Sequence, residues 1–406
     1  MKLVEKHIIN KNHKFYKECD KLCFSSKNLY NFSLYAIRQH FFKTKEYLNN
    51  TKLYHIVKTG IDYKNLPAKV SNQTLRVLDR NFKSFFASIK KKDDRKKRIP
   101  GYLHKTEGRF ITIYERGAVS KRVFKKENKI KLSKSNIEFT TSISDYDNIC
   151  EVRIVPRRGY YIIEVVYKTI KVEIKKDNKR TAGIDIGLNN LVALVFNTGD
   201  IPQLINGRPL KSINQYFNKV ISGEKSRLSK ENGVKTSNRI KRVNLKRTNK
   251  INDYLHKTSR YIVNQLVSKN ITKLVIGKNK EWKQDINIGK RNNQNFVNIP
   301  HARLIDILIY KCNLVGIDII LQEESYTSNT SFLDNEEIKR HEVYKGKRIK
   351  RGLFRSSGGK IINADVNGAC NILRKAIPNI IFMDGIEALA VMPIKVSLSG
   401  CSKVIQ

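Results

Sequence analysis

The chain has 406 residues, 40% hydrophobic and 9% aromatic, which is enough for two or three packed domains and too apolar for a disordered tail. Its 80 Lys and Arg stand against 36 Asp and Glu, a formal charge of +44, so the folded protein repels itself unless a polyanion neutralises it. Nucleic acid is the implied partner. A membrane surface, the competing polyanion, is set aside because the sequence shows no apolar run near ~18 residues, no signal peptide and no lipidation motif.

In chain order, "MKLVEKHIIN" suits a strand, after which the period changes. Phe15, Leu22, Leu29, Phe32, Leu34, Ile37 and Phe41 recur at helical spacing. Cys19 and Cys23 fall on one face of that helix beside Leu22 and read as buried thiols. The other cysteines, at 150, 312, 370 and 401, are scattered. Neither a disulfide framework nor a zinc ribbon is expected, and a reduced, cytoplasmic setting follows. A second helix is predicted beyond Pro67, capped by Ser71 and lined by Leu75, Leu78, Phe82, Phe85, Phe86 and Ile89. The basic linker "KKKDDRKKRIPGY" ends this helical unit.

From Phe110 to Ile174 the period becomes two, with "FITIYE", "IKLSK", "CEVRIVP" and "YYIIEVVYKTI" as strands. Arg157, Arg158 and Gly159 join the last two as a hairpin. This is an all-β module, which the N-terminal strand could complete so that the helices form an insertion in it. At "RTAGIDIGLNNLVALVFNTGD" an apolar strand turns at a glycine into a second apolar strand. Further on, "KLVIG" and "GIDIILQ" flank a helix whose buried side carries Leu304, Ile307, Leu308 and Cys312. That is the pattern of a parallel strand pair covered on both faces, so the C-terminal part is α/β.

Three tracts concentrate the positive charge. Residues 208–250 hold 13 Lys or Arg against two acids, and 90–109 and 339–360 hold nine each against three and one. Basic tracts in separate modules suit an extended phosphate-binding channel. Arg239, Lys241, Arg242, Lys246 and Arg247 are the candidate nucleic-acid contacts.

Two short segments carry chemistry. In "GIDIGLNN", Asp185 lies near the end of an apolar strand, held rigidly yet facing solvent. In "NADVNGACNIL", Asp365 starts a helix, where a carboxylate can also serve as a simple cap. Two aspartates and a glutamate from different segments are a workable minimum for phosphodiester hydrolysis with two divalent cations ~4 Å apart.

"GIDIGLNNLVAL", "YLHKTSRYIVNQLV" and "NADVNGACNILRK", in that order, resemble the RuvC motifs of the TnpB family, transposon-encoded RNA-guided nucleases related to type V CRISPR effectors. "KLCFSSKNLYN" and "IPGYL" extend the resemblance over most of the chain. It implies a β-barrel wedge-like domain (1–14 and 98–175) carrying a helical recognition insertion (15–97). An RNase H-like (RuvC) α/β nuclease domain follows (176–377), with a basic helical segment at 208–270, an insertion at 325–362 and a C-terminal tail at 378–406. It also implies two Mg2+ or Mn2+ ions, a transposon-derived guide RNA, double- and single-stranded target DNA, and a prokaryotic, nucleoid-associated setting. The expected metal ligands are Asp185, Glu324 and Asp365.

Two departures stand out. Most of the family ends the strand "IVIE" with the middle Glu, where this chain has Gly277. Most also carry a zinc ribbon, whereas the stretch from Ser325 to Asp365 contains no cysteine, so no structural zinc is expected. Glu323 and Glu324, at the end of the adjacent strand, are the candidates for the relocated acid, with Glu281 a third. Alternation does not choose between Glu323 and Glu324, and the more distal Glu324 is preferred. A nuclease-dead RNA-guided binder is the alternative function. An actin-like ATPase is a remoter one, for which the second phosphate hairpin is not found.

Nucleic-acid binding is expected to fall by ~10³ to 10⁵ between 50 and 200 mM salt if ~6 to 10 phosphates are contacted. Replacing Arg239, Lys241 and Arg242 together should weaken it similarly for every guide sequence. Filter binding across a salt series checks this, and a flat response would remove the charge argument.

Overall fold

Alternating apolar residues build the first of two units, Met1–Ile170, around an antiparallel sheet. The computed structural model describes residues 1–90, 97–169, 172–232, 236–279, 299–382 and 392–398. The first strand, β1 (Lys2–Ile9), is followed by helices α1 (Tyr16–Thr44), α2 (Asn50–Val57), α3 (Ile61–Lys64) and α4 (Ala68–Ile89). Then come β2 (Thr112–Glu115), α5 (Lys121–Glu127), β3 (Lys129–Lys131), β4 (Glu138–Thr140), β5 (Ile149–Arg157) and β6 (Tyr160–Lys168). The main sheet runs β1-β6-β5-β2, and β3 and β4 form a separate ribbon. β1 lies antiparallel to β6 from Lys2 opposite Lys168 to Ile9 opposite Tyr161, so the four helices interrupt the sheet in sequence. The pairings among the described residues give an open four-stranded sheet; a closed barrel is not among them.

Helix α1 lays Cys19, Leu22, Cys23, Leu29, Leu34 and Ile37 into the core shared with Ile154, Ile163 and Val165 of the sheet. Burial pushes both thiols up to about 12, so they behave as small apolar side chains. Phe32 and Phe41, part of the helical spacing, are exposed: Phe32 falls off the buried arc and Phe41 lies in the last turn. Asp20 ties the helix to the sheet by accepting from Arg109 at 2.8 and 2.9 Å and from the Tyr161 hydroxyl at 2.5 Å. Helix α4 starts directly after Pro67, whose fixed φ and missing N–H suit that position. Ser71 is therefore inside the helix and not its cap, and its buried hydroxyl donates to Tyr63 O at 2.8 Å.

The second unit, Lys171–Gln406, begins with β7 (Thr181–Ile186), β8 (Asn190–Phe196) and β9 (Gln203–Asn206). The basic helices α6 (Arg208–Asn232) and α7 (Asn238–Ser268) come next, then β10 (Lys273–Gly277), α8 (His301–Asn313) and β11 (Asp318–Gln322). The short strands β12 (Lys347–Lys350), β13 (Leu353–Arg355) and β14 (Ile361–Asn363) lead into α9 (Ala364–Ala376), and β15 (Ile394–Val396) follows. The sheet order is β11-β10-β7-β8-β9-β15. β7, β8 and β9 are antiparallel neighbours, whereas β10 and β11 run parallel to β7. A meander on one side and a parallel pair on the other is the RNase H-like arrangement that the sequence resemblance implied. The segment read as a C-terminal tail is in part structural, because β15 pairs in parallel with β9 and supplies an edge strand.

Alternation gives each face of this sheet its own core. Ala182, Ile184 and Ile186 of β7, with Leu274 and Ile276 of β10, pack against Leu255, Ile262 and Leu266 of α7 and against Leu304 and Leu308 of α8. On the other face Val195 and Val275 pack against Val366, Ala369, Ile372 and Leu373 of α9. Helix α9 approaches so closely that a Cβ on Gly183 would lie 2.9 Å from Ala369 O, 3.1 Å from Leu373 Cβ and 3.2 Å from Val195 Cγ2.

Because one of those contacts is backbone, Gly183→Ala should destabilise the second unit by about 1–3 kcal/mol, the usual cost of overpacking. Chemical denaturation of the two proteins measures it, and equal stability would show that the helix seat has slack.

Candidate functional site

The face occupied by α9 is also where the carboxylates gather. On β7, Gly183 faces α9, and two residues on, at the strand's C-terminal end, Asp185 shares that face. Val275 places Gly277 on the same face of β10, and Ile320, opposite Val275 in register, places Gln322 and the direction of Glu324 there as well. Asp365, second residue of α9, comes from the helix itself, whose N-cap Asn363 accepts from the Asp365 and Val366 amides at 3.0 and 3.3 Å. Three segments distant in sequence thus deliver acids to the C-terminal end of the parallel strands, where ligand sites form in α/β sheets.

The middle position is the informative one. A Cβ built on Gly277 would lie 2.9 Å from Glu324 Cδ and 2.6 Å from Ile372 Cδ1, and the Glu324 carboxylate oxygen Oε1 would be closer still. The carboxylate of Glu324 therefore occupies the space that a side chain at 277 would enter. Glu323 is directed elsewhere: it is exposed, accepts from Lys375 Nζ at 2.8 Å, and is held at about 2 by that ion pair and by Ser325. Glu281 lies outside the described residues.

Electrostatics set these groups apart from ordinary surface acids. Burial, with the Glu324 and Asp365 carboxylates adding repulsion, pushes Asp185 up to about 8, and nearby Arg348 acts the other way. Burial, with Glu323 adding to it, raises Glu324 to about 7. Asp365 Oδ2 accepts from Asn190 Nδ2 at 2.7 Å, and its Oδ1 lies 3.8 Å from Arg348 Nη2. As the side chains stand, no three His, Cys, Asp or Glu among the described residues converge on one point.

The residues nevertheless fit divalent cations. Glu324 Oε1 is buried without a hydrogen-bond partner among the described residues, an expensive state for a carboxylate oxygen that a hard cation would relieve. The donor set is all oxygen, as Mg2+ or Mn2+ prefers.

Of the five basic residues singled out in the sequence, all on α7, Arg239, Arg242 and Lys246 are exposed and line a cleft of about 370 Å³ with Val243. Lys241 lies off that face, half-buried. Arg247 is also half-buried and donates to Asn214 of α6 at 2.8 Å, a contact that braces the helix pair.

Sequence reasoning missed the polar residues that hold the acids. Asn190 stands inside the quoted "GIDIGLNN", where a donor close to the first aspartate was the available signal. Asn279, which bonds Glu324, and Arg348, on β12, gave none. Asn367 and Asn371 of α9 are fully buried and anchor the segment before the last aspartate. Asn367 donates to Thr330 O and accepts from Phe332 N, both at 2.9 Å, and Asn371 donates to Thr327 O at 3.0 Å and Thr330 O at 2.7 Å.

Residues 164–283 match the family described as a probable transposase, OrfB of the IS605 type. Residues 301–372 match the Cas12f1-like TNB domain. Among curated proteins, the CRISPR-associated endodeoxyribonuclease Cas12f2 of a Micrarchaeota archaeon is 28% identical over 238 residues, 54% of this chain. The match spans only 41% of that protein's length. Among solved structures, a Cas12f1–sgRNA–target DNA complex superposes with a TM-score of 0.52 at 15% identity, covering 89% of this chain and 82% of that one, which shows a shared fold. A CRISPR-Cas12f ternary complex covers 88% and 80% at 15% identity with a TM-score of 0.36. No helix among the described residues is long and apolar enough to cross a membrane.

The raised carboxylates make a pH prediction. Between the ordinary carboxylate range and about pH 8 the folded protein holds protons at Asp185 and Glu324 that the unfolded chain has released, so their contribution to stability falls as pH rises. Cation binding needs both groups ionised and must tighten over the same window. Melting temperatures of the wild type and of Asp185→Asn and Glu324→Gln, with and without Mn2+, should show the Mn2+ stabilisation growing with pH in the wild type alone. Identical curves for all three would contradict the assignment.

Proposed function

The chain belongs to the TnpB and Cas12f-like family, and from that premise we propose that it is an RNA-guided DNA endonuclease whose RuvC-type site is formed by Asp185, Glu324 and Asp365. One observation carries the reading: the Glu324 carboxylate stands where a side chain at Gly277 would reach, so the middle acid is supplied from the neighbouring strand. A chain that had merely lost this acid would have no reason to keep a carboxylate there with one oxygen buried and, among the described residues, unpartnered, at a desolvation cost.

In this reading the three acids hold two divalent cations, Mg2+ or Mn2+, which when bound supply activation of water and stabilisation of the leaving oxygen. The chain's own residues do the rest. Asn190 and Arg348 hold Asp365 at the mouth of the site, and Arg348, half-exposed, adds positive charge where a scissile phosphate would arrive. Arg239, Arg242 and Lys246 form a phosphate-binding face for the guide RNA or for the target, double-stranded or opened. Lys241 and Arg247 act less directly. The segment from 325 to 362 has no cysteine and is held by hydrogen bonds to α9, so we assign it no structural zinc. The ATPase reading of the turn at Gly187 is given up with the family assignment.

Cleavage of a matched target by the guide-loaded protein in Mg2+ should be abolished by Asp185→Ala, Glu324→Ala and Asp365→Ala, with RNA binding kept within a few-fold, whereas Glu323→Ala should stay active. Adding Gly277→Glu to Glu324→Ala should restore part of the activity, since removing the Glu324 carboxylate opens that space and leaves the flexible tip of Ile372 as the near contact that must give way. Full activity of Glu324→Ala would refute the relocated acid, and an inactive wild type that still binds matched DNA would favour a nuclease-dead binder.

A further inference from the structure

Resting on the reading of Glu324 as the middle acid, we propose that Asn279 is its positioning residue, a two-point amide clamp that presents the bare Oε1 of Glu324 to a divalent cation. Asn279 lies two residues beyond β10, and Lys278 N continues that strand's pairing by donating to Gln322 O at 2.8 Å. Its side chain then reaches across to the next strand's exit. Oδ1 accepts from Glu324 N at 3.0 Å, and Nδ2 donates to Glu324 Oε2 at 3.1 Å. The orientation of the amide is fixed by chemistry: a backbone N–H can only donate, so the oxygen must face it and the nitrogen must face the carboxylate.

One amide therefore holds both the main chain and one carboxylate oxygen of the same residue. The other oxygen, Oε1, is buried, lies in the space beside Gly277 and has no hydrogen-bond partner among the described residues. Buried carboxylates ordinarily satisfy both oxygens. Satisfying one and leaving the second bare at the site is the pattern of a ligand held ready. Glu324 needs such a hold because it sits past the end of β11, where strand pairing no longer fixes its direction. An acid at the end of β10 would be held by the sheet itself. Asparagine suits the task because it donates and accepts from one rigid plane; Asp at 279 keeps the acceptor and sets a like charge against Oε2.

The experiment is Mn2+ titration of the full-length, RNA-free chain followed by electron paramagnetic resonance, with Asp185→Ala as background, alongside melting temperatures and cleavage across an Mg2+ series. Asn279→Asp, nearly isosteric and still able to accept from the Glu324 N–H, is expected to lose Mn2+ affinity about tenfold or more, the usual effect of removing a partner that orients a metal ligand. Its melting temperature should stay near that of the wild type, and its cleavage should recover at high Mg2+. Asn279→Ala should lose affinity too, whereas Asn279→Gln should keep part of it. Wild-type Mn2+ affinity in Asn279→Asp would overturn the clamp, leaving Asn279 only a loop support. If Glu324→Ala itself cleaves normally, the reading of Glu324 fails. If Glu324→Ala is inactive and Asn279→Asp matches the wild type, the clamp alone fails.

Discussion

Everything at the candidate site depends on how closely α9 lies on β7. The helix can come within contact of the strand because residue 183 has no side chain, and Ala369 and Leu373 use that room. This closeness puts the first turn of α9, with Asp365, beside the strand end that carries Asp185. It also costs electrostatic energy, because acids are gathered where water is partly excluded, and the raised Asp185 and Glu324 record that cost. Packing on both faces of the sheet supplies the stabilisation that keeps them there.

The same helix organises the segment before it. In a cysteine-free stretch, order must come from other cross-links, and here buried amides and carboxylates provide them. Asn367 and Asn371 reach the carbonyls and amides of 327–332, while Glu336, itself buried, accepts from Ser331 N and Lys345 N at 2.8 Å each. Asp334 accepts from the Ser357 amide and hydroxyl at 2.9 and 2.6 Å. Phe332, Phe354 and Ile362 add an apolar contact with α9. Charge-assisted bonds from carboxylates to backbone amides are among the stronger polar contacts a protein can make, and they cross-link loops without a metal.

Much of this could be read from the residues. Period-two and period-3.6 patterns located the strands and long helices, and the parallel pair around α8 followed from two apolar runs of strand length. Asp185 and Asp365 could be picked out because each lies in a segment that resembles a RuvC motif, although a carboxylate at a helix start can also be a simple cap. Other features depend on tertiary register and were out of reach. The short strand β15 is three residues long and exists only because β9 offers it an edge. The choice between Glu323 and Glu324 turns on which face of β11 meets α9, since both faces are apolar. Ser71 lies inside its helix because Pro67, four residues earlier, is an equally good helix start, and the contact of Arg247 with Asn214 of α6 cannot be read from spacing along one helix.

Gly277 and Gln322 stand side by side in adjacent parallel strands, with Glu324 two residues further along. Neighbouring strands are only about 4.8 Å apart, less than the length of a glutamate side chain. A carboxylate can therefore reach one point in space from either strand, provided the other strand leaves the volume empty. What such a site preserves is a position and a charge, and the residue number that supplies them is free to move. A linear motif with glutamate at the end of β10 would class this chain as lacking its middle acid. On the proposed reading of Glu324, a search phrased as one carboxylate per volume, with a glycine at whichever strand is silent, would count it complete.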